Sequence, residues 1–414
     1  MTNPLLIGAD VHRDTNTICF MDRQGREVAP RITLPNNRPG SVAFVREIAH
    51  QVAADDFDAL HIAAEATGWY WWHFFQTLDR DPLLQQMPVE LYALNPRLTA
   101  TFTKTYVDRD HTDHSDAFVI ADRLRMGRDL PPPFHLEERY AALRLLTRYR
   151  YHVVHLVARE KAYCLASIYL KASEYPRRQP FGKVFGAARR AVLQEFASIE
   201  EIAALPFDEL VEFIDVKGKR RFADPTANAR ALQQVAQDSY RLPAALQAPV
   251  NLILGCSLQH IACLERQVQR LDRAIGEHMT GLPHTLETIP GIGPVYAGGL
   301  IAEIAGIERF GGNEAKGAKF AGLKWRRHQS GTFEAEDTQL TRTGNRYLRY
   351  YFCEAANAVR MHTAEYGTYY ERKYREVRTH QHKRALVLTA RKLVRLVVRL
   401  LTINQPYQAR RPMA

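Results

Sequence analysis

Four carboxylates in the first third of the chain are spaced so that they can do chemistry together. Asp10 closes a short apolar run at residues 5–10, and Glu65 follows another at residues 59–64. Both runs read as strands, so both acids stand at strand ends and can reach one sheet edge. Asp113 and Asp116 sit at i and i+3 in Thr112-Asp113-His114-Ser115-Asp116-Ala117, a spacing that puts them on one face of a helix. Four gathered carboxylates repel one another unless cations neutralise them, and hard oxygen donors suit Mg²⁺ or Mn²⁺ rather than zinc. Two such ions per site would activate an attacking oxygen and stabilise the leaving oxygen of a phosphodiester. Each acid alone also has a structural explanation. Asp10 can open a turn, Glu65 can cap the following helix, Asp113 can be an N-cap, and Asp116 suits the positive end of a helix dipole. Asp14, Asp22, Asp108, Asp110 and Asp122 are nearby acids that composition does not separate from the four.

The elements that must position these acids follow from the hydrophobic pattern. Residues 5–10 and 16–21 flank the turn-prone His12-Arg13-Asp14 and predict a hairpin. Asp22-Arg23-Gln24-Gly25 makes a second turn, and residues 26–34 supply a third antiparallel strand. Val42, Val45, Ile48, Ala49 and Val52 recur at helical spacing, and a helix rich in Trp and Phe follows Gly68. Residues 89–94 form another strand, stopped by Asn95-Pro96. The sum is a mixed sheet covered by helices, an α/β unit.

Pro131-Pro132-Pro133 breaks the chain, and strand signals nearly vanish beyond it. Residues 136–171 read as one long helix. Residues 252–279 carry Leu264, Val268, Leu271 and Ile275 at coiled-coil-like spacing, so the two segments can pair into an arm. Between them, residues 176–249 are mixed and basic. Their cluster Lys217-Gly218-Lys219-Arg220-Arg221 is either a solvated loop or a nucleic-acid contact. From Gly281 onward, glycine-rich turns give way to basic helices. The expected domains are residues 1–135, 136–280 and 281–414.

A length of 414 residues suits two or three domains. Lys and Arg number 56 against 45 Asp and Glu, and the net charge of +11 favours a polyanionic partner, nucleic acid foremost. An anionic membrane surface is the other reading of that charge, but no apolar run approaches the roughly 18 to 20 residues a bilayer crossing needs. The five cysteines (Cys19, Cys164, Cys256, Cys263, Cys353) are odd in number and lack zinc or disulfide spacing. The first residues lack a signal-peptide pattern, and a reducing cytoplasm is the expected location.

The ordered set Ile7-Gly8-Ala9-Asp10-Val11, Ala64-Glu65-Ala66-Thr67-Gly68-Trp69-Tyr70-Trp71 and Thr112-Asp113-His114-Ser115-Asp116-Ala117 resembles the DEDD transposases of the insertion sequence 110 family. The resemblance implies an RNase H-like, RuvC-type catalytic domain with Asp10, Glu65, Asp113 and Asp116 as metal ligands. The third motif departs mildly. His111 stands where the family usually has a basic residue before the Thr, and His114 fills the basic position between the aspartates. That departure bears on backbone or nucleic-acid contacts more than on metal binding.

A second match begins at Leu286-Glu287-Thr288-Ile289-Pro290-Gly291-Ile292-Gly293-Pro294-Val295-Tyr296-Ala297, which looks like a helix-hairpin-helix. Gly291 and Gly293 permit a tight hairpin, Pro294 can open the next helix, and exposed amides there can hold a phosphate without reading a base. A glycine turn between packed helices is the alternative. Phe320-Ala321-Gly322-Leu323-Lys324, Gln329-Ser330-Gly331 and Thr343-Gly344-Asn345-Arg346-Tyr347-Leu348-Arg349 then follow in the order of the family's C-terminal transposase domain. The resemblance makes Ser330 the candidate nucleophile, forming a phosphoserine link to a cleaved strand. A Ser-Gly dipeptide by itself is a turn signal. Lys324, Arg326 and Arg346 join Gly291 and Gly293 as candidate nucleic-acid contacts. Of Lys383, Arg384, Arg391, Lys392, Arg395 and Arg399, a minority are expected to touch nucleic acid.

The resemblance further implies DNA partners, at element ends and target, a structured guide RNA from the mobile element, and a bacterial or archaeal host. The helical arm points to a homo-oligomer, dimer or tetramer, and leaves open whether the acids and Ser330 act within one subunit or across two. Two other functions compete. A RuvC-like nuclease or junction resolvase would use the acids and water without the serine, and a non-catalytic DNA-binding protein would keep the acids as a structural cluster.

Overall fold

The computed structural model describes residues 3–106, 112–128, 130–135, 137–181, 185–325, 329–330, 333–334, 340–341 and 343–409. The chain divides into two compact units, Met1–Glu138 and Arg139–Ala414.

In the first unit β1 (Pro4–Val11) and β2 (Thr15–Met21) form the expected antiparallel hairpin, and β2 pairs antiparallel with β3 (Ile32–Pro35). On its other side β1 pairs parallel with β4 (Ala59–Glu65), which pairs parallel with β5 (Val89–Leu94), giving the order β3-β2-β1-β4-β5. The third strand is shorter than residues 26–34. Pro30 offers no N–H for a ladder, and before Ile32 only the isolated bridge Met21↔Glu27 forms.

The helices of this unit are α1 (Arg38–Ala54), α2 (Tyr70–Asp79), α3 (Pro96–Thr103) and α4 (Asp113–Met126). Asn95-Pro96 does more than stop β5. The Asn95 side chain accepts from Arg97 N at 3.0 Å and Pro96 opens α3. Side chains alternate across the sheet. Leu5, Ile7, Ala9, Leu60, Ile62 and Ala64 pack with Phe44 and Ile48 of α1 and Phe74 and Phe75 of α2. The opposite parity, including Leu6 and Ala63, meets Ala117, Ile120, Ala121 and Leu124 of α4.

The second unit is almost wholly helical among its described residues. The long helices α5 (Glu138–Lys171) and, further on, α11 (Ala244–Met279) enclose α6 (Tyr175–Arg178), α7 (Ala187–Glu195), α8 (Ile199–Ala204), α9 (Phe207–Lys217) and α10 (Pro225–Asp238) in the sequence. α5 and α11 run antiparallel, tied by Lys161 Nζ to Glu265 (2.7 Å), Ser257 Oγ to Glu160 (2.6 Å), Lys171 Nζ to Asn251 (2.7 Å) and the pair Arg150–Asp272. α11 starts at Ala244 rather than near residue 252 and carries Pro249 inside it, because Val250 and Leu254 continue its buried stripe.

After it come α12 (Pro294–Ile304), α13 (Glu314–Phe320), the short strands β6 (Gln329–Ser330) and β7 (Phe333–Glu334), α14 (Arg346–His362), α15 (Ala364–Arg375) and α16 (Gln381–Ile403). One apolar core joins α6 to α10 with the end of α5 and the start of α11. Another joins α12 to α16 with Leu143 of α5 and with Ile275 and Met279 of α11. Among the described residues no helix is long and apolar enough to cross a membrane.

Candidate active site

Strand register brings the first two acids together. Ala9 pairs with Ala64 across the parallel β1–β4 ladder, so Asp10 and Glu65, the next residues, stand at the same level at the carboxyl ends of adjacent strands, Asp10 one residue before the end of β1. By alternation both side chains leave the sheet on the face covered by α4. The apolar stripe of α4, Ala117-Ile120-Ala121-Leu124, runs back one turn into Asp113 and Asp116, so packing that stripe on β1 carries both aspartates over the strand ends. Gly8 makes this approach close: a Cβ there would lie 2.2 Å from Ala117 O and 2.4 Å from Ala121 N.

The start of α4 is capped without either aspartate. Thr112 Oγ1 accepts from Ser115 N (3.2 Å) while Ser115 Oγ accepts from Thr112 N (3.1 Å). Asp113 and Asp116 are thus left free of capping duty. Arg31, held by Glu27 (2.6 Å), donates to His114 O (2.8 Å) and fixes this turn from the β3 side.

Asp10 is only 9 % exposed, and its Oδ2 is buried and accepts no hydrogen bond. Burial pushes its carboxyl up to about 6; His12 opposes the shift, and Asp116, Asp113 and Glu65 add to it. Burial also raises Glu65, with Asp116 adding to the shift and the Thr99 and Thr67 hydroxyls opposing it. All four acids therefore share one electrostatic neighbourhood. Sequence reasoning treated His12 only as part of a turn, yet its Nε2 lies 3.5 Å from Asp10 Oδ2 and 3.4 Å from Asp113 Oδ1. The missed signal was parity, since residues 8, 10 and 12 share one side of an extended strand. Asn36 was missed as well: it donates to His12 O (2.7 Å) and Tyr70 O (3.1 Å), tying the strand exit to the start of α2.

The neighbouring acids have other partners. Asp14 pairs with Arg13 at 2.8 Å, Asp22 with Arg26 at 2.8 Å and Asp122 with Arg125 at 2.6 Å, while Asp108 and Asp110 lie outside the described residues. A buried carboxylate with an orphaned oxygen, surrounded by further acids, is a donor set that fits a divalent cation.

In the second unit the glycine motifs meet back to back. A Cβ on Gly344 would lie 2.3 Å from both Gly322 N and Phe320 O, and Asn345 N donates to Phe320 O at 2.7 Å. Asn345 caps α14 through Tyr347 N (2.9 Å) and Leu348 N (3.1 Å), and its amide donates to Glu303 at 2.6 Å. Glu303, with its side chain 1 % exposed, takes a bidentate ion pair from Arg148 at 2.7 and 2.8 Å. The Trp325↔Leu340 bridge follows Lys324, which is exposed, and the Ser330 backbone pairs with Phe333 between β6 and β7. Arg326 lies outside the described residues, as do the side chains of Gln329 and Ser330.

Arg346 is exposed and donates to the Tyr347 hydroxyl at 2.7 Å. Gly291 has φ +96° and a Cβ there would press on the Ala358 backbone at 2.9 Å, whereas nothing lies within 4 Å of a Cβ on Gly293. Close packing on α14 therefore accounts for the first glycine, and the second faces open space. Along α16, Arg384 pairs with Glu376 (3.0 Å), Lys392 with Glu365 (2.8 Å) and Arg395 with Glu314 (2.9 Å), so half of the basic residues expected there are already engaged.

Residues 7–168 match the DEDD transposase model of the IS110 type, described as a transposase, and residues 283–371 match the model described as transposase of the IS116/IS110/IS902 family. The chain is also similar to the insertion element IS116 uncharacterized 44.8 kDa protein of Streptomyces clavuligerus, 27 % identical over 299 residues, which are 70 % of each chain. The first match spans Asp10, Glu65, Asp113 and Asp116, and the second spans the Gly291 turn and the Ser330 motif, so the chain belongs to the IS110 family of transposases.

Proposed function

We propose that this transposase breaks and rejoins DNA phosphodiesters with Asp10, Glu65, Asp113 and Asp116 holding two Mg²⁺ or Mn²⁺ ions and with Ser330 as nucleophile. The observation that carries the reading is the orphaned, buried Asp10 oxygen amid three further acids that raise its proton affinity. Bound divalent ions would supply positive charge for deprotonating a hydroxyl and for the extra charge on phosphorus. The strand order β3-β2-β1-β4-β5, with acids at the ends of β1 and β4, supports an RNase H-like assignment.

In the first step Ser330 Oγ bonds to phosphorus as the bond to a deoxyribose oxygen breaks, and the serine proton ends on that leaving oxygen. A hydroxyl of a second strand then bonds to that phosphorus as the bond to Ser330 Oγ breaks, its proton returns to Ser330 Oγ, and the new strands are joined. In this reading the turn at Gly291 and Gly293 is a helix-hairpin-helix holding a phosphate on backbone amides, and Lys324, Arg326 and Arg346 hold others. A structured RNA from the element guides the choice of ends and target, and the active form is a homo-oligomer, dimer or tetramer, in a bacterial or archaeal cytoplasm. The net charge of +11 supports polyanionic partners.

The test is recovery of a protein–DNA adduct that survives denaturation, using element-end DNA, the flanking element RNA and Mg²⁺. An adduct is expected for the wild type and lost in both Ser330→Ala and Asp113→Ala. Nicked DNA without adduct, unchanged by Ser330→Ala and abolished by Asp113→Ala, would overturn the serine step and leave a hydrolytic nuclease.

A further inference from the structure

We infer that His12 is a protein ligand of the divalent ion at this centre, adding one nitrogen donor to the carboxylates. The inference rests on the metal-dependent reading above and specifies the ion's ligand field. The first support is geometric. The Asp10 and Asp113 carboxylate oxygens and a His12 ring nitrogen all lie within 4.8 Å of one another, with Nε2 at 3.5 Å from Asp10 Oδ2 and 3.4 Å from Asp113 Oδ1. An octahedral ion with bonds of about 2.1 Å sets cis ligand atoms about 3 Å apart and trans atoms about 4 Å apart. The three side chains thus need only a small inward shift to share one ion.

The second support is the state of Asp10. It is nine-tenths buried, and its Oδ2, the atom nearest the imidazole, has no hydrogen bond. His12 Nε2 shares a 3.4 Å hydrogen bond with Asp113 Oδ1, while its 3.5 Å contact with Asp10 Oδ2 leaves that buried atom without one. A cation between the two would satisfy it. The third support is backbone anchoring: His12 N donates to Thr15 O at 2.9 Å and its carbonyl accepts from Asn36 at 2.7 Å, so the strand exit that aims the ring is held on both sides.

The consequence is a preference among metals. An imidazole nitrogen favours Mn²⁺ over Mg²⁺ relative to an all-oxygen site, because Mg²⁺ takes hard oxygen donors and Mn²⁺ binds N/O sites more readily. Removing the ring should therefore lower Mn²⁺ affinity by about tenfold or more and Mg²⁺ affinity by much less.

The experiment uses the full chain without nucleic acid, loaded with Mn²⁺ and read by electron spin echo envelope modulation. Wild type, His12→Gln and Asp113→Ala are compared, and the signal considered is the bound Mn²⁺ that Asp113→Ala removes. Nitrogen modulation from an imidazole is expected in the wild type, and its loss from His12→Gln while Mn²⁺ still binds supports the inference. Since the His12 side chain is half exposed, that substitution should leave the fold intact, as circular dichroism would verify. Mn²⁺ bound without nitrogen modulation in the wild type, or with modulation unchanged in His12→Gln, overturns the His12 assignment and leaves the acidic site standing. Mn²⁺ binding that Asp113→Ala does not reduce overturns the metal reading itself.

Discussion

Gly8 of β1 and Ala117 of α4 are in backbone contact that leaves no room for a methyl group: a Cβ on residue 8 would sit 2.2 Å from the Ala117 carbonyl oxygen. This contact sets the height of α4 above the sheet and so the distance from Asp113 and Asp116 to Asp10. Gly8→Ala should push the helix outward, costing about 1–3 kcal/mol of stability by overpacking. It should also weaken divalent-cation binding, although no ligand is altered. Urea denaturation and Mn²⁺ titration check the two effects, and unchanged Mn²⁺ affinity in a destabilised variant would show that α4 position does not control the site.

Asp10 makes the metal-free protein sensitive to pH. Its carboxyl titrates near 6 in the folded chain against 3.8 for the ordinary value, so between about pH 4 and pH 6 the native state binds more protons than the unfolded state. The stabilising contribution is complete below that window and is lost as pH rises through it. Asp10→Asn should therefore stabilise the metal-free protein at pH 7.5 by on the order of 1–3 kcal/mol and raise its thermal midpoint. Added Mg²⁺ should stabilise the wild type and leave the variant unchanged, with scanning calorimetry as the readout.

Arg148, Glu303 and Asn345 bind α5, α12 and α14 together around a carboxylate that is almost fully enclosed. Glu303→Ala strands a half-buried guanidinium and should cost about 3–5 kcal/mol. Combining it with Arg148→Met should cost less than the sum of the two single changes. An additive result in chemical denaturation would show that the ion pair contributes no coupling.

Gly344 fits against Gly322 and Phe320 at the base of the segment that carries Ser330. Gly344→Ala should disturb the Asn345 N to Phe320 O bond, destabilise the second unit by about 1–3 kcal/mol, and reduce the yield of the serine adduct. Mn²⁺ affinity should stay at the wild-type value, because every proposed metal ligand lies in the first unit. A parallel loss of Mn²⁺ binding would contradict that separation.

Much of the first unit was legible because its signals are local. The apolar run at residues 5–10 and the alternation at residues 16–21 predicted a hairpin, which the structure forms with β1 buried throughout, and the spacing of Asp113 and Asp116 predicted one helix face. The short β3 and the onset of α3 at Pro96 were less so, since a proline can stop one element and open the next, and only sheet pairing or a cap decides which. His12 escaped notice for a related reason. It lies just beyond the strand, where sequence reads a turn, and its ring meets Asp113 as well as Asp10 only once α4 is docked.

Sequence alone therefore determined which residue types are available and which local faces they share: acids at two strand ends, two more on one helical turn, glycines where chains come close. Asp14, Asp22 and Asp122 are engaged by arginines one to four residues away, whereas tertiary structure decided which acid keeps a buried oxygen without a hydrogen bond. It also decided that Gly8, which the sequence shows only as a neighbour of Asp10 in the first motif, serves close packing, and that Glu303, outside every quoted motif, is a buried anchor. The physical reason is range: backbone periodicity acts over a few residues, whereas desolvation and ion pairing depend on atoms that the sequence sets a hundred or more positions apart.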